Sequence, residues 1–395
     1  MKGDLIIMNQ TRKVYLDYSA TTPVKEEVLK EMLPYFTEHF GNASSLYSIG
    51  LQAKDAIEKA RGQVAHLIGA DPKEVYFTGG GSESDNWTLF GVAEQLKNKG
   101  KHIITTKIEH HAILHSAEFL EKQGFEVTYL DVDKEGFVHP EQLEAAIRDD
   151  TILVSIMFVN NEIGTVEPIK ELAAIAHKHG VLFHTDAVQA IGNVPIDVRD
   201  LDVDFVSMSS HKIYGPKGEG GMFIRKGVQI PSFIHGGAQE KGKRAGTENI
   251  AGIVGFGAAA ELAEKNLEYH RKHCSELRDY LINQITARIP DIIVNGPEDH
   301  SRRHPGNANI TFARIEGESI LILLDSMGIA VSTGSACSSK SLEPSHVLAA
   351  IGVHREMIHG TIRFTVGDFT TKEDIDYVVE CVEKVVSRLR EISML

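Results

Sequence analysis

Three residue groups in this sequence have types and spacing that could do chemistry together. Lys212 stands in Ser209-Ser210-His211-Lys212-Ile213-Tyr214-Gly215-Pro216-Lys217-Gly218. A lysine just before a Gly/Pro loop can form a Schiff base with an aldehyde cofactor, although any lysine taken alone is more often solvated surface. Asp186, in Thr185-Asp186-Ala187-Val188-Gln189, lies 26 residues earlier. Its carboxylate could keep a pyridine nitrogen protonated so that the ring accepts electrons from a carbanion, or it could simply cap a helix. Thr78-Gly79-Gly80-Gly81-Ser82-Glu83-Ser84 could cradle a phosphate with backbone N–H groups at a helix start. The plain alternative is a tight turn with Ser82 as N-cap. No Gly-Lys-Ser/Thr follows, so a P-loop is excluded. Glycine-rich turn, Asp and Lys in that order are far more specific than any one of them, and point to pyridoxal phosphate.

Further candidates surround this set. His110, in Glu109-His110-His111, could stack on a flat cofactor and move protons near neutral pH. His111 and His115 are i,i+4 and could bind a metal, but spacing places no third ligand, so no metal is assigned. Asn160 and Asn161 could bind ring oxygens or a substrate carboxylate, or form a turn. Cys337 lies in Ser332-Thr333-Gly334-Ser335-Ala336-Cys337-Ser338-Ser339-Lys340, a small, polar stretch that reads as a mobile, exposed loop. Unpaired cysteines normally sit in cores, as the patterns around Cys274 and Cys381 predict, so Cys337 is the nucleophile candidate.

The elements that must position these groups follow from periodicity. From about residue 74, β-rich runs at 75–77, 102–104, 127–129, 152–159, 181–184 and 205–208 alternate with helix-compatible segments. That pattern implies a mostly parallel sheet with helices on both faces. The run 222–224 reads as an antiparallel addition. After about residue 260, a long helix (260–289), strands near 309–312, 329–331 and 362–366, a helix at 319–327 and a last helix from Lys372 read as a smaller α+β domain. The expected division is 15–260 for a large cofactor-binding domain. Residues 1–14 and 261–395 form the small domain, which carries the Cys337 loop at about 332–342.

The 395 residues carry 41 Lys+Arg against 55 Asp+Glu, a formal net charge of −14. An acidic chain argues against nucleic acid as main partner, because phosphate binding needs a basic face. The longest uncharged apolar stretch, 250–260, falls well below the ~18 residues of a membrane span. Three cysteines make no disulfide framework and no Cys-x-x-Cys pair, so a cytoplasmic location fits best.

The motifs named above, with Val159-Asn160-Asn161-Glu162-Ile163-Gly164, Arg244-Ala245-Gly246-Thr247-Glu248-Asn249, Gly334-Ser335-Ala336-Cys337-Ser338 and Glu343-Pro344-Ser345-His346-Val347-Leu348, resemble the group I cysteine desulfurases. These are the sulfur donors for iron–sulfur cluster assembly within the fold-type I pyridoxal-phosphate superfamily. The match runs from about Val14 to Leu389. Two departures stand out: Ser82 where Thr is usual, and Ala43 and Tyr47 where Pro and His are usual.

The resemblance implies an α/β fold and a pyridoxal 5'-phosphate cofactor. Lys212 would hold it covalently, Asp186 would pair with its ring nitrogen and His110 would stack on the ring. Gln189 and Asn161 would contact the ring oxygen and nearby substrate groups. Gly81, Ser82, Ser209 and His211 would bind the phosphate, and Thr247 would reach the phosphate of the other subunit in a homodimer. Arg363 would bind the substrate carboxylate. The implied reaction converts L-cysteine to alanine. Lys212 takes the Cα proton, His110 is the candidate for proton transfer at sulfur, and Cys337 becomes a persulfide that passes sulfur to an iron–sulfur scaffold or another acceptor. Alternatives are a selenocysteine lyase, a sulfur donor for tRNA thiolation, another fold-type I enzyme or a scaffold subunit with vestigial chemistry.

Overall fold

The computed structural model describes residues 12–333 and 344–392. Seven strands form the main sheet: β1 (Val75–Thr78), β2 (His102–Thr106), β3 (Glu126–Leu130), β4 (Thr151–Ser155), β5 (Leu182–Asp186), β6 (Phe205–Ser209) and β7 (Gly220–Ile224). Their order across the sheet is β1-β7-β6-β5-β4-β2-β3. The five strands from β6 to β3 are parallel. β7 runs antiparallel to both neighbours and sits inside the sheet, between β1 and β6. The central strands are buried at every position or nearly so, as runs such as Ile152-Leu153-Val154 demand when helices cover both faces.

Helix α1 spans Glu26–Met32, α2 Ser48–Leu67, α3 Gly81–Leu96 and α4 His111–Lys122. In α2, Ala53, Ile57, Ala60 and Val64 are buried at helical spacing and form its apolar face. That face packs on α5, one unbroken helix of 39 residues, Ile250–Arg288. The helix begins ten residues before its expected start. Gly252, Gly255 and Gly257 weaken local helix propensity, yet Gly257 lets α2 approach: a Cβ there would lie 2.6 Å from Ala60 Cα. Tertiary packing overrides the local preference.

The C-terminal part builds a second, antiparallel sheet from β8 (Ile292–Asn295), β9 (Asn307–Phe312) and β10 (Thr361–Thr365), in the order β10-β9-β8. β8 was not expected: it is a short edge strand with Ile292 and Val294 half-buried, Ile293 exposed and only Asn295 buried. The last helix, α6 (Lys372–Ile392), packs its Ile375, Val378, Val379 and Val382 into a core of its own with β9 and β10. Cys274 and Cys381 are buried there as free thiols. Val14–Tyr15 pairs parallel with Ile329–Ala330, and the chain then runs between β10 and the main sheet. Among the described residues no helix is long and apolar enough to cross a membrane.

Candidate active site

A cavity of about 260 Å³ opens where the strand ends of the main sheet meet β10. Ligands collect at the carboxyl ends of parallel strands, and the ends of β1, β2, β4, β5 and β6 contribute here. Gly81, Ser82, His110, Asn161, Asp186, Gln189, Ser209, His211, Lys212 and Arg363 all line it. Thr247 does not; it is exposed. Cys337 lies outside the described residues, but both flanks of its segment reach the cavity. Ser332 and Arg363 exchange backbone hydrogen bonds of 3.2 and 2.7 Å. Ser345 Oγ donates to Glu162 Oε2 at 2.6 Å, and His346 Nε2 donates to the Glu109 carbonyl at 2.9 Å.

The glycine turn after β1 delivers the start of α3. Its N-cap is Gly80, with φ 148° and no side-chain cap. Ser82 is therefore not the capping residue, and Gly81 and Ser82 at the start of the helix line the cavity. Gly81 is required there, since a Cβ would lie 2.5 Å from Val188 Cγ2. A second opening lined by Gly79, Gly80, Ser82, Ser209 and His211 continues from this turn.

Asp186 ends β5 and is 5% exposed. Its Oδ1 accepts the Val188 N–H at 2.9 Å. Burial pushes its carboxyl up to about 6, against that hydrogen bond and the Lys212 charge. A buried carboxylate so placed calls for a cation or N–H⁺ at the cavity side. Lys212 follows β6 in a single 3-10 turn and donates to the carbonyls of Ser19 and Ala20, the latter at 2.9 Å.

His110 is the N-cap of α4. Its Nδ1 accepts the Ala112 N–H at 3.1 Å, so the proton of the neutral ring sits on Nε2. Burial lowers its pKa to about 4, and the positive charge of Lys212 adds to that. The ring is therefore an uncharged donor rather than a free base.

The two amides divide their duties. Asn160 Oδ1 accepts the N–H groups of Glu162 and Ile163, and its Nδ2 donates to the Ile108 carbonyl: it builds the turn. Asn161 is left to the cavity, and its carbonyl accepts Arg363 Nη1 at 2.9 Å. Arg363 is 2% exposed; Nη2 donates to Asp17 Oδ1 at 2.8 Å, and its buried Nε has no hydrogen-bond partner among the described residues. A buried guanidinium N–H beside an open cavity is suited to an incoming carboxylate.

Several lining residues were given no role by sequence reasoning: Ser19, Ala20, Asp85, and Glu109, Glu162 and His346, which stand within the quoted motifs. Ser19 and Ala20 follow a two-residue strand, so no strand-end signal marks them; the polar run 17–22 was the available hint. His346 joins His111 and His115 through rings 4.9 and 5.0 Å apart.

Glu109 is buried, and only its Oε1 is hydrogen-bonded, by Met157 N–H and Thr106 Oγ1. Burial lifts its pKa to about 8, from an ordinary value of 4.5. Between those values the native carboxyl holds a proton that the unfolded chain has lost. Stability therefore falls as pH rises through that window, by about 1.4 kcal/mol per pH unit for one such group. Thermal unfolding of Glu109→Gln is expected to depend less steeply on pH between about pH 5 and 8 than that of the parent. Equal slopes would show that Glu109 ionises normally.

The aminotransferase class-V family profile matches residues 14–378. Cysteine desulfurase IscS of Clostridium botulinum (strain Hall) is 57% identical over 384 residues, covering 97% of both chains. Among solved structures, a NifS-like protein superposes with a TM-score of 0.90 at 40% identity, covering 96% of this chain and 100% of the other. Another, described as SspA in complex with cysteine, has a TM-score of 0.79 at 35% identity, covering 91% and 100%.

Proposed function

We infer that this chain, which belongs to the aminotransferase class-V family, is a cysteine desulfurase that converts L-cysteine to alanine and retains the sulfur on Cys337. The observation that carries this reading is the convergence of Lys212, Asp186 and Arg363 on one cavity beneath a glycine-started helix. The family implies pyridoxal 5'-phosphate, and the residues present fit it. The Gly80–Gly81–Ser82 turn with Ser209 and His211 would take the phosphate. Asp186 would take the ring nitrogen, Gln189 and Asn161 the ring oxygen, and His110 the ring face, with Lys212 as covalent anchor. Bound there, the cofactor supplies an electron sink for the substrate's Cα.

The chain's own residues do the rest. Arg363 holds the α-carboxylate through its fork, and Asp17 and the Asn161 carbonyl keep that fork oriented. Lys212 takes the proton from Cα. His110, its Nδ1 engaged, offers Nε2–H to the substrate. The Cys337 thiolate attacks the substrate sulfur: an S–S bond forms, the Cβ–S bond breaks and its electron pair goes to Cβ, which is protonated, while Lys212 returns its proton to Cα to give alanine. An ordinary thiol ionises near ~8.5, so this step needs a local proton acceptor. The persulfide then passes to an acceptor protein of iron–sulfur cluster assembly.

A homodimer completes the reading. Phe36, Phe40, Leu46 and Tyr47 are 59%, 64%, 91% and 60% exposed. Apolar side chains so concentrated on one stretch mark an interface. Thr247, exposed and away from its own cavity, would serve the partner's phosphate.

The direct test is purified, cofactor-loaded protein given L-cysteine, with alanine as the readout; its absence would end the reading. Within that assay, Arg363→Ala is expected to raise KM for L-cysteine by about tenfold or more, as loss of a charge-assisted pair requires. An unchanged KM would remove Arg363 from the carboxylate site.

A further inference from the structure

An ion cluster lies behind the cavity and belongs to none of the roles above. Asp368 sits three residues beyond β10, the strand that carries Arg363. One of its carboxylate oxygens pairs with Lys25 Nζ and the other with His270 Nδ1. His270, on α5, is 8% exposed, and its Nε2 lies 2.8 Å from Asn193 Oδ1. Asn193 Nδ2 donates to the Gln189 and Ile191 carbonyls, so its oxygen is the atom turned to His270. Both ring nitrogens of His270 therefore face acceptors and both carry protons: the ring is an imidazolium. His270, Cys274 and Asp368 are close enough together to bracket a metal ion. Two cations already occupy the carboxylate, however, and an added metal would meet their repulsion. The group is an ion cluster.

What the cluster grips is informative. The Asp368 N–H donates to Tyr214 Oη at 2.7 Å. The Lys25 N–H donates to the Tyr214 carbonyl at 3.1 Å, and Lys25 Nζ lies 4.5 Å from the Tyr214 ring centre. Tyr214 is two residues after Lys212 and has φ 66°, a left-handed conformation that a side chain of this size rarely adopts. Its N–H donates to Thr22 Oγ1 at 2.8 Å. Asp368 thus ties the end of Arg363's strand to the strained turn behind Lys212 twice: directly through its own N–H, and through its carboxylate by way of Lys25. Through His270 and Asn193 it also ties in the turn carrying Gln189.

We propose that Asp368 is a positioning residue that fixes the distance between Lys212 and Arg363, and so matches the site to the Cα–H and the carboxylate of an α-amino acid. This rests on the roles proposed above for those two residues. The carboxylate is bonded directly to Cα, so a shift of β10 against the Lys212 turn takes Arg363 out of reach of the carboxylate while Cα stays at Lys212, and weakens binding before it affects the proton transfer.

Steady-state kinetics of the holoenzyme with L-cysteine test this. Asp368→Asn is expected to raise KM about tenfold while kcat stays within about threefold, as loss of a charge-assisted contact that acts on binding requires. Asp368→Glu is expected to bring KM back to within about threefold of the parent, because it restores the charge. A purely structural contribution would lower the unfolding temperature and leave KM unchanged, and that result overturns the proposal. So does a fall in kcat with unchanged KM. Arg363→Ala, measured alongside, separates the two levels. An unchanged KM there overturns the reading of Arg363 and this inference with it, whereas an unchanged KM in Asp368→Asn alone overturns only the inference. Should Asp368→Asn fail to fold, Lys25→Met removes one arm of the cluster and is expected to raise KM about threefold; no change would overturn the proposal.

Discussion

Lys212→Ala is expected to lose alanine formation from L-cysteine by about 10²–10⁴-fold, the range for removing a positioned proton-transfer group. The loss also includes the covalent anchor. The variant should still fold. Nζ donates to the backbone carbonyls of Ser19 and Ala20, in a segment that Thr22 also secures through the His211 carbonyl at 3.0 Å. Removing the ammonium takes away one of the charges that hold His110 neutral, which restores no amine to accept the Cα proton. Borohydride reduction followed by peptide mass analysis gives an independent readout: the parent should carry the cofactor on the peptide containing Lys212, and the variant should not. Full activity in the variant would refute the base assignment.

Cys337→Ala is expected to keep bound cofactor and its absorbance while desulfuration falls about a hundredfold or more, because the sulfur then lacks a thiolate to receive it. The other two cysteines cannot substitute. Cys274 is 0% and Cys381 5% exposed, each inside the C-terminal core, and neither lines the cavity. The segment that carries Cys337 leaves the described structure at Thr333 and returns at Pro344. Its neighbours Ser332, Ser345 and His346 are bonded to Arg363, Glu162 and Glu109 of the cavity wall. A normal rate of sulfide release by Cys337→Ala would rule out the persulfide step.

Much of this arrangement was legible in the residues alone because parallel strands announce themselves as short apolar runs and because their ends collect chemistry. Asp186, Lys212 and the glycine turn could be picked out before any geometry. Other features were hidden for physical reasons. The N-terminal start of α5 was masked by glycines whose value is tertiary, as at Gly257 against Ala60. The 152–159 run ends as a regular strand at Ser155; beyond it, Asn160 turns the chain back so that Asn161 can reach the cavity. Which of two adjacent amides builds the turn is decided by bonds to Ile108, Glu162 and Ile163, which no local pattern encodes. The tautomer of His110 likewise follows from its capping position on α4. Asp17 and Asp368 lie 346 and five residues from Arg363 in sequence, and only the packing of β10 against the N-terminal segment and the Lys212 turn brings their roles into view.

One single-turnover measurement weighs the central claim most directly. Cofactor-loaded protein is mixed with L-cysteine in the absence of reductant and acceptor, and alanine is counted against sulfur bound to the protein. The account predicts one alanine per active site and one added sulfur atom, located by mass analysis on the peptide containing Cys337. Alanine released without that added sulfur, or sulfur found on Cys274 or Cys381 instead, would contradict it.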